Sequence, residues 1–558
     1  MKLRVLLPTF AFAYAIVAGG ASPKKPNVLF IAVDDLKPVL GCYGDKMVKS
    51  PNIDRLAARG MIFERAYCNQ AVCSPSRNAL MTGRRPQSLG IYDLGTNFRK
   101  AAPDTITLAQ HFQKAGYRTE ALGKIFHVGH GNREDAASWS VPHFQAKSVA
   151  YVLPESRANQ GLTREEALFS NANTPVDKLP RGAAYESADV SDSSYPDGVL
   201  ADEAIRRLKA AKAKPDEPWL IAVGFLKPHL PFCAPKKYWD LYDPAAFQLP
   251  TSQTPPEGAP KFAPTNWGEL RQYSDTPTSG PLNPDQARTL IHGYHAAISY
   301  MDAQLGRVMA ALDELDPEKE TIIVLWGDHG WHLGDHGQWC KHSNYEQAVR
   351  TPLLVAGPGV KSGTRTMSLV ESVDVYPTLS ELAGLPAPTD CDGKSFLSIL
   401  RDPAASTRDS IIHVYPRGEL LGRAIRTERH RLVEWKRPGS APDTAVLELY
   451  DYEADPAETR NLATEQREVV SRLQAILALH PEAKPQISGD GKPAQPRPDR
   501  ATMFARRDKD SDGKLTRDEF LIDQPDPGPA AKRWEQFDTN KDGMLSRDEF
   551  IHMGGPKQ

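Results

Sequence analysis

Val28-Leu29-Phe30-Ile31-Ala32-Val33-Asp34-Asp35 is a run of six apolar residues that stops abruptly at two carboxylates. An apolar run of this length, without polar alternation, suits a strand buried on both faces, as in a parallel sheet covered by helices. The same construction recurs along the chain. Residues 117–123 run into Lys124, residues 219–225 lead to Lys227-Pro228-His229, and residues 321–326 lead to Asp328-His329. Helical patterns lie between these runs. Ser50-Pro51 reads as a cap and first turn, with Ile53, Leu56 and Ala57 on the apolar face and Gly60 as the stop. A long helix is expected over about 285–315. Strands alternating with helices predict an α/β fold built on a doubly wound, mostly parallel sheet. Ligands of such sheets bind beyond the carboxyl ends of the strands, so the polar residues ending these runs are expected in one site.

From about residue 386 the pattern changes. Short β-like pieces at 411–415, 431–435 and 447–452, then a helical stretch at 465–479, predict a smaller α+β subdomain over 386–480. Residues 481–500, rich in Pro, Gly, Lys and Gln, read as a linker, and 501–558 as a further module. The 558 residues carry 68 Lys and Arg against 70 Asp and Glu, a formal net charge of −2, without the basic excess of a dedicated nucleic-acid binder. Residues 1–21 have the layout of a secretory signal peptide: Lys2 and Arg4, an apolar stretch at 5–18, then Gly19-Gly20-Ala21. A secreted or periplasmic protein is therefore expected, with a catalytic domain over 22–385. No later apolar stretch reaches the length of a membrane span. Six cysteines without paired spacing support no disulfide assignment.

The C-terminal module carries two loops of one design. Asp508, Asp510, Asp512, Gly513, Thr516 and Glu519 stand at positions 1, 3, 5, 6, 9 and 12, and Asp538, Asn540, Asp542, Gly543, Ser546 and Glu549 repeat the spacing. This is the EF-hand calcium loop, with the main-chain carbonyl of position 7, here Lys514 and Met544, as a further ligand. Phe504, Phe520 and Phe550 are expected to pack this all-α pair together. Glu519 and Glu549 count against a partner-docking module, whose paired loops lack that glutamate.

Cys73-Ser74-Pro75-Ser76-Arg77, then Leu80-Met81-Thr82-Gly83-Arg84, resembles the first sulfatase signature, and Gly116-Tyr117-Arg118-Thr119, then Gly123-Lys124-Ile125-Phe126-His127, resembles the second. The resemblance runs from Asn27 to about Ala463. Within the family, Gly41-Cys42-Tyr43-Gly44-Asp45, Lys227-Pro228-His229-Leu230-Pro231-Phe232 and the stretch from Asp328-His329-Gly330-Trp331 to Lys341-His342-Ser343-Asn344 point to the branch acting on 2-O-sulfated uronates. The resemblance implies that Cys73 is oxidised to formylglycine by a dedicated generating enzyme. One hydroxyl of the hydrated aldehyde attacks sulfur; the other loses its proton as the carbonyl re-forms and sulfate leaves. It further implies one divalent cation, calcium by its three carboxylates, held by Asp34, Asp35, Asp328, His329 and residue 73. Arg77 and Lys124 would hold the nucleophile's oxygens and the metal carboxylates. His127 would take the proton that triggers release, and His229 and Lys341 would contact the sulfate. Trp331, His342, Tyr92 and Asp93 are candidates for sugar contact. The expected activity is an exported sulfatase acting on a sulfated carbohydrate. The alternative is a phosphodiesterase or phosphonate monoester hydrolase of the same superfamily.

Overall fold

The computed structural model describes residues 25–146, 151–157, 161–316, 318–488, 500–521 and 533–551; the expected signal peptide lies outside them. The chain forms two compact units, residues 1–492 and 493–558. The first is built on seven strands: β1 (Val28–Val33), β2 (Gly60–Phe63), β3 (Arg118–Gly123), β4 (Trp219–Phe225), β5 (Ile322–Gly327), β6 (Leu353–Ala356) and β7 (Thr364–Thr366). Their order is β7-β2-β6-β5-β1-β4-β3. β1, β3, β4 and β5 are mutually parallel, β6 is antiparallel to β5 and to β2, and β7 is parallel to β2. Every strand except β6 therefore runs in one direction, and the carboxyl ends of the four apolar runs meet at one edge.

Alternate residues of β1 enter two separate cores: Leu29, Ile31 and Val33 one, Val28, Phe30 and Ala32 the other. Helices cover both faces. On the first lie α1 (Pro51–Ala58), α4 (Pro196–Lys212) and the 32-residue α5 (Pro284–Leu315); on the second lie α2 (Cys73–Thr82), α3 (Leu108–Lys114) and α6 (Val375–Leu382). Two-sided burial is why these strands read as unbroken apolar runs. Two local expectations are corrected. Ser50 does not cap α1; the Asp302 carboxylate on α5 accepts from the Asn52 and Ile53 amides at 3.1 and 2.7 Å. Gly60 does not stop α1, which ends at Ala58, but opens β2, where a Cβ would lie 2.4 Å from the Val355 carbonyl oxygen.

A second sheet, β8 (Ser410–Arg417), β9 (Leu420–Thr427), β10 (His430–Lys436) and β11 (Val446–Asp451), is a fully antiparallel meander backed by α7 (Arg467–Leu477). β9 was not expected. The start of the expected linker is packed rather than free: Ile487 is buried in the second core, and its amide donates to the Gly90 carbonyl at 2.8 Å. All six cysteines are free thiols. No helix among the described residues is long and apolar enough to cross a membrane.

In the second unit, α8 (Arg500–Arg507), α9 (Arg517–Leu521) and α10 (Arg547–Ile551) gather Phe504, Phe520 and Phe550 into one core with Leu515, Trp534 and Leu545. The two loops with the EF-hand spacing are joined by a two-residue ribbon, β12 (Lys514–Leu515) with β13 (Leu545–Ser546).

Candidate active site

Asp34 and Asp35 follow β1, Lys124 follows β3, His229 lies just beyond β4, and Asp328 and His329 follow β5. The approach of β3 to β4 depends on a missing side chain, since a Cβ on Gly224 would lie 2.2 Å from the Lys124 carbonyl oxygen. Cys73 is the first residue of α2, with Pro75 in its first turn, where the missing N–H would have no intrahelical partner. The thiol thus sits at the positive end of a helix dipole.

The acids interlock with cations. Arg77, completely buried, donates from Nη2 to Asp34 at 2.9 Å and from Nε to Asp328 at 3.0 Å. Lys124 Nζ pairs with the other oxygen of Asp34. Burial alone would raise the Asp34 pKa, but Lys124 and Arg77 outweigh it and hold the carboxyl well below its usual range. Asp35, in a left-handed conformation at φ 59°, accepts from Lys341 Nζ at 2.9 and 3.0 Å. His329 Nδ1 lies 2.9 Å from the Gly330 carbonyl, which turns Nε2 inward, 3.2 Å from Asp35 and 3.5 Å from the Cys73 sulfur. The ligand atoms of Asp35, Cys73, Asp328 and His329 lie within 4.8 Å of one another, as do those of Asp34, Asp35, Cys73 and His229. Three buried carboxylates and an oriented imidazole are a donor set that fits a hard divalent cation.

Above this floor opens a pocket of about 630 Å³, the size of a small-molecule site, lined by Cys73, His127, His229, Lys341 and His342 among others. Arg77 and Lys124 lie behind its surface, fully buried. Trp331 is buried too and is not in the pocket wall; the Lys341 ammonium lies 5.1 Å over its ring. Tyr92 and Asp93 are not in the pocket wall. The Tyr92 hydroxyl donates to the Lys484 carbonyl at 2.6 Å, and Asp93 accepts from the Thr96 amide at 2.7 Å within its own turn.

Several pocket residues carried no sequence signal. Glu269 bridges Lys341 and His229 at 3.0 and 3.2 Å and faces His342 at 3.8 Å. His130 Nδ1 lies 3.2 Å from His127 Nε2. Tyr415, Pro416 and Arg417 reach the pocket from the end of β8, and Gly418 from the turn that joins it to β9. In the second unit, Asp508, Asp510 and Glu519 bring one carboxylate oxygen each within 4.8 Å of one another. Both loops close by the same bonds: the Gly513 amide donates to Asp508 and the Gly543 amide to Asp538, each at 3.0 Å.

Comparison with known proteins agrees with this geometry. The sulfatase family model matches residues 26–385, a model described as N-sulphoglucosamine sulphohydrolase, C-terminal, matches 334–481, and an EF-hand model matches 535–553. The iduronate 2-sulfatase of Mus musculus is 37% identical over 431 residues, covering 71% of this chain and 76% of its own length. Two solved structures share the fold. One, in complex with its substrate D-glucosamine-2-N,6-O-disulfate, has a TM-score of 0.63 at 21% identity and covers 82% of this chain and 97% of that chain. The other, a phosphonate monoester hydrolase from Silicibacter pomeroyi, has a TM-score of 0.63 at 22% identity and covers 82% and 95%. With a family model over well over half its length and a relative more than one-third identical, the chain belongs to the sulfatase family and is a sulfuric ester hydrolase.

Proposed function

We propose that this sulfatase is exported and removes sulfate from a sulfated carbohydrate of the 2-O-sulfated uronate type, using a formylglycine formed from Cys73 and one calcium ion. The observation that carries the reading is the position of Cys73. Its sulfur opens into the pocket at the start of α2, 3.5 Å from His329 Nε2 and 3.8 Å from Asp35 Oδ1. As a thiol it is a poor nucleophile there, because burial and Asp34 push its pKa well up. Formylglycine, once hydrated, supplies a hydroxyl nucleophile and a second hydroxyl for release. Calcium, held by Asp34, Asp35, Asp328 and His329, would supply charge that orients sulfate oxygens.

The surrounding side chains support acid–base work. Burial would lower the His229 pKa, but Asp35 outweighs it and holds it raised, which suits a proton donor to the leaving sugar oxygen. Burial and Lys124 hold His127 well below its usual range, which suits a neutral acceptor. Lys341 keeps its charge against burial through Asp35 and stands ready for a sulfate oxygen. Maturation would need a formylglycine-generating enzyme, and the EF-hand loops would each bind calcium through six residues, those at positions 1, 3, 5, 7, 9 and 12 of the loop. The 386–480 subdomain would complete the catalytic unit ahead of that module.

Mass spectrometry of the Cys73 peptide, from protein co-expressed with the generating enzyme, tests this. The expected result is formylglycine, with activity lost in Cys73→Ala. Unmodified cysteine in a fully active preparation would sink the mechanism. Rates on the sulfate and phosphate esters of one phenol separate a sulfatase from a phosphonate monoester hydrolase or phosphodiesterase; the sulfate ester is expected to be the faster.

A further inference from the structure

Two side chains of permanent positive charge line the pocket, Lys341 and Arg417. Lys341 is neutralised by Asp35 at 2.9 Å and Glu269 at 3.0 Å. Arg417 forms no ion pair with a carboxylate among the described residues. Its Nε donates to the Phe262 carbonyl at 2.9 Å, Nη1 to Pro416 at 3.2 Å, and Nη2 to Ala263 at 2.9 Å and to the His342 carbonyl. The guanidinium lies 4.4 Å over the Tyr415 ring, and that phenol stays neutral because burial pushes its pKa to about 12. Glu165, the pocket's other acid beside Glu269, forms no ion pair with Arg417, and the remaining nearby acids are engaged elsewhere. Glu269 is taken by Lys341 and His229, and Glu419, in the turn after β8, pairs with Arg437.

A guanidinium is always charged, so a half-buried one held only by neutral carbonyls is an uncompensated cation in the pocket wall. It is also rigid, since its bonds tie the end of β8 to residues 262–263 and to His342. These carbonyls take four of its five N–H groups, so what it offers a carboxylate or sulfate oxygen is its charge and one remaining Nη1 N–H. It stands beside His342, one residue from Lys341, yet apart from the acid network on the pocket floor.

We infer that Arg417 is the specificity-determining residue of this sulfatase: it binds a second anionic group of the sugar, a carboxylate or a further sulfate, while His229 and Lys341 hold the sulfate ester that is cleaved. The inference rests on the proposed sulfated-carbohydrate substrate and assigns the recognition of acidic sugars to the C-terminal sheet.

The test compares wild type with Arg417→Met and Arg417→Lys on five substrates: a 2-O-sulfated hexuronate methyl glycoside, its methyl ester, a 2-O-sulfated neutral hexose, a 2,6-di-O-sulfated hexose and an aryl sulfate. The methionine variant is expected to lose at least about 10-fold in kcat/KM, mainly through KM, on substrates with a second anion, as expected for a lost charge-assisted hydrogen bond. On the neutral hexose and the aryl sulfate it stays near wild type, and lysine restores part of the loss. Loss on the hexuronate alone identifies the carboxylate; loss on the disulfated hexose alone identifies a second sulfate. An equal loss on all five substrates, or none on any, overturns the inference. If the methionine variant does not fold, the wild type alone decides: no preference for the hexuronate or the disulfated sugar over their neutral counterparts overturns it. Wild type that cleaves the aryl sulfate but no sulfated sugar overturns the substrate reading itself.

Discussion

Arg77 shows how much one side chain carries here. It spans Asp34 and Asp328, at 2.9 and 3.0 Å, with all three side chains fully buried. Removing one member of a buried ion network strands the others in low dielectric, at a cost of about 3–5 kcal/mol. Arg77→Met is therefore expected to lower the denaturant midpoint strongly and to abolish activity. Arg77→Lys should rescue little, because an ammonium is a point charge and cannot bridge two carboxylates while also reaching the Lys124 carbonyl. Urea unfolding of both variants, read beside their activity, checks this. A lysine variant with wild-type stability would contradict it. Arg77 was legible in the sequence because it sits in a short motif with Cys73. Glu269 and Arg417 were not, because each comes from a segment with no motif of its own and acquires chemistry only from its neighbours across the pocket; His130, three residues past the second signature, owes its place to its 3.2 Å contact with His127.

Among the elements, β9 and the buried pair beside it carry the instructive miss. β9 contains Gly422, Arg423 and Arg426, which break an apolar pattern, yet both arginines are buried. Each has found partners: Arg426 pairs with Glu346 and lies 3.7 Å over the Tyr452 ring, and Arg423 reaches Glu482. In β10, Arg431 is buried against Glu458 at 2.5 Å. Burial alone would raise the Glu458 pKa, but Arg431 outweighs it and holds it at about 2, below the ordinary 4.5. The unfolded chain then binds the proton more readily than the folded one. The stability this carboxylate contributes is thus present in full above about 4.5 and is lost as pH falls towards about 2. Glu458→Gln should be less stable at neutral pH by about 3–5 kcal/mol and should lack this acid-dependent component. Urea midpoints of both proteins from pH 7 to pH 2 measure it; parallel curves would refute the assignment.

For the whole molecule, the division into residues 1–492 and 493–558 separates the candidate active site from the loops with the EF-hand spacing. Every residue of the candidate active site lies in the first unit, and the second has its own aromatic core of Phe504, Phe520, Trp534 and Phe550. Domains with separate cores fold and act independently by default. A chain ending at residue 492 is expected to keep kcat/KM on an aryl sulfate within about twofold of the full chain, while the calcium-dependent rise in melting temperature of the module disappears. Truncation that abolishes activity in a folded protein would show that the module serves catalysis.

The apolar runs and their polar ends, read alone, determined the class of fold, the strands that carry Asp34, Lys124, His229 and Asp328, and the motif around Cys73. Those are local properties: two-sided burial imposes continuous hydrophobicity, and a parallel sheet brings strand ends together whatever the chain length between them. Tertiary structure alone decided which charges are neutralised and which remain open to a ligand. It set Glu269 against Lys341 and His229, left Tyr92, Asp93 and Trp331 outside the pocket wall, and turned a hairpin of the second sheet into that wall. The physical reason is that the state of a charged side chain depends on what lies within a few ångströms of it, and for Glu269, Lys341 and His229 those neighbours come from distant parts of the chain.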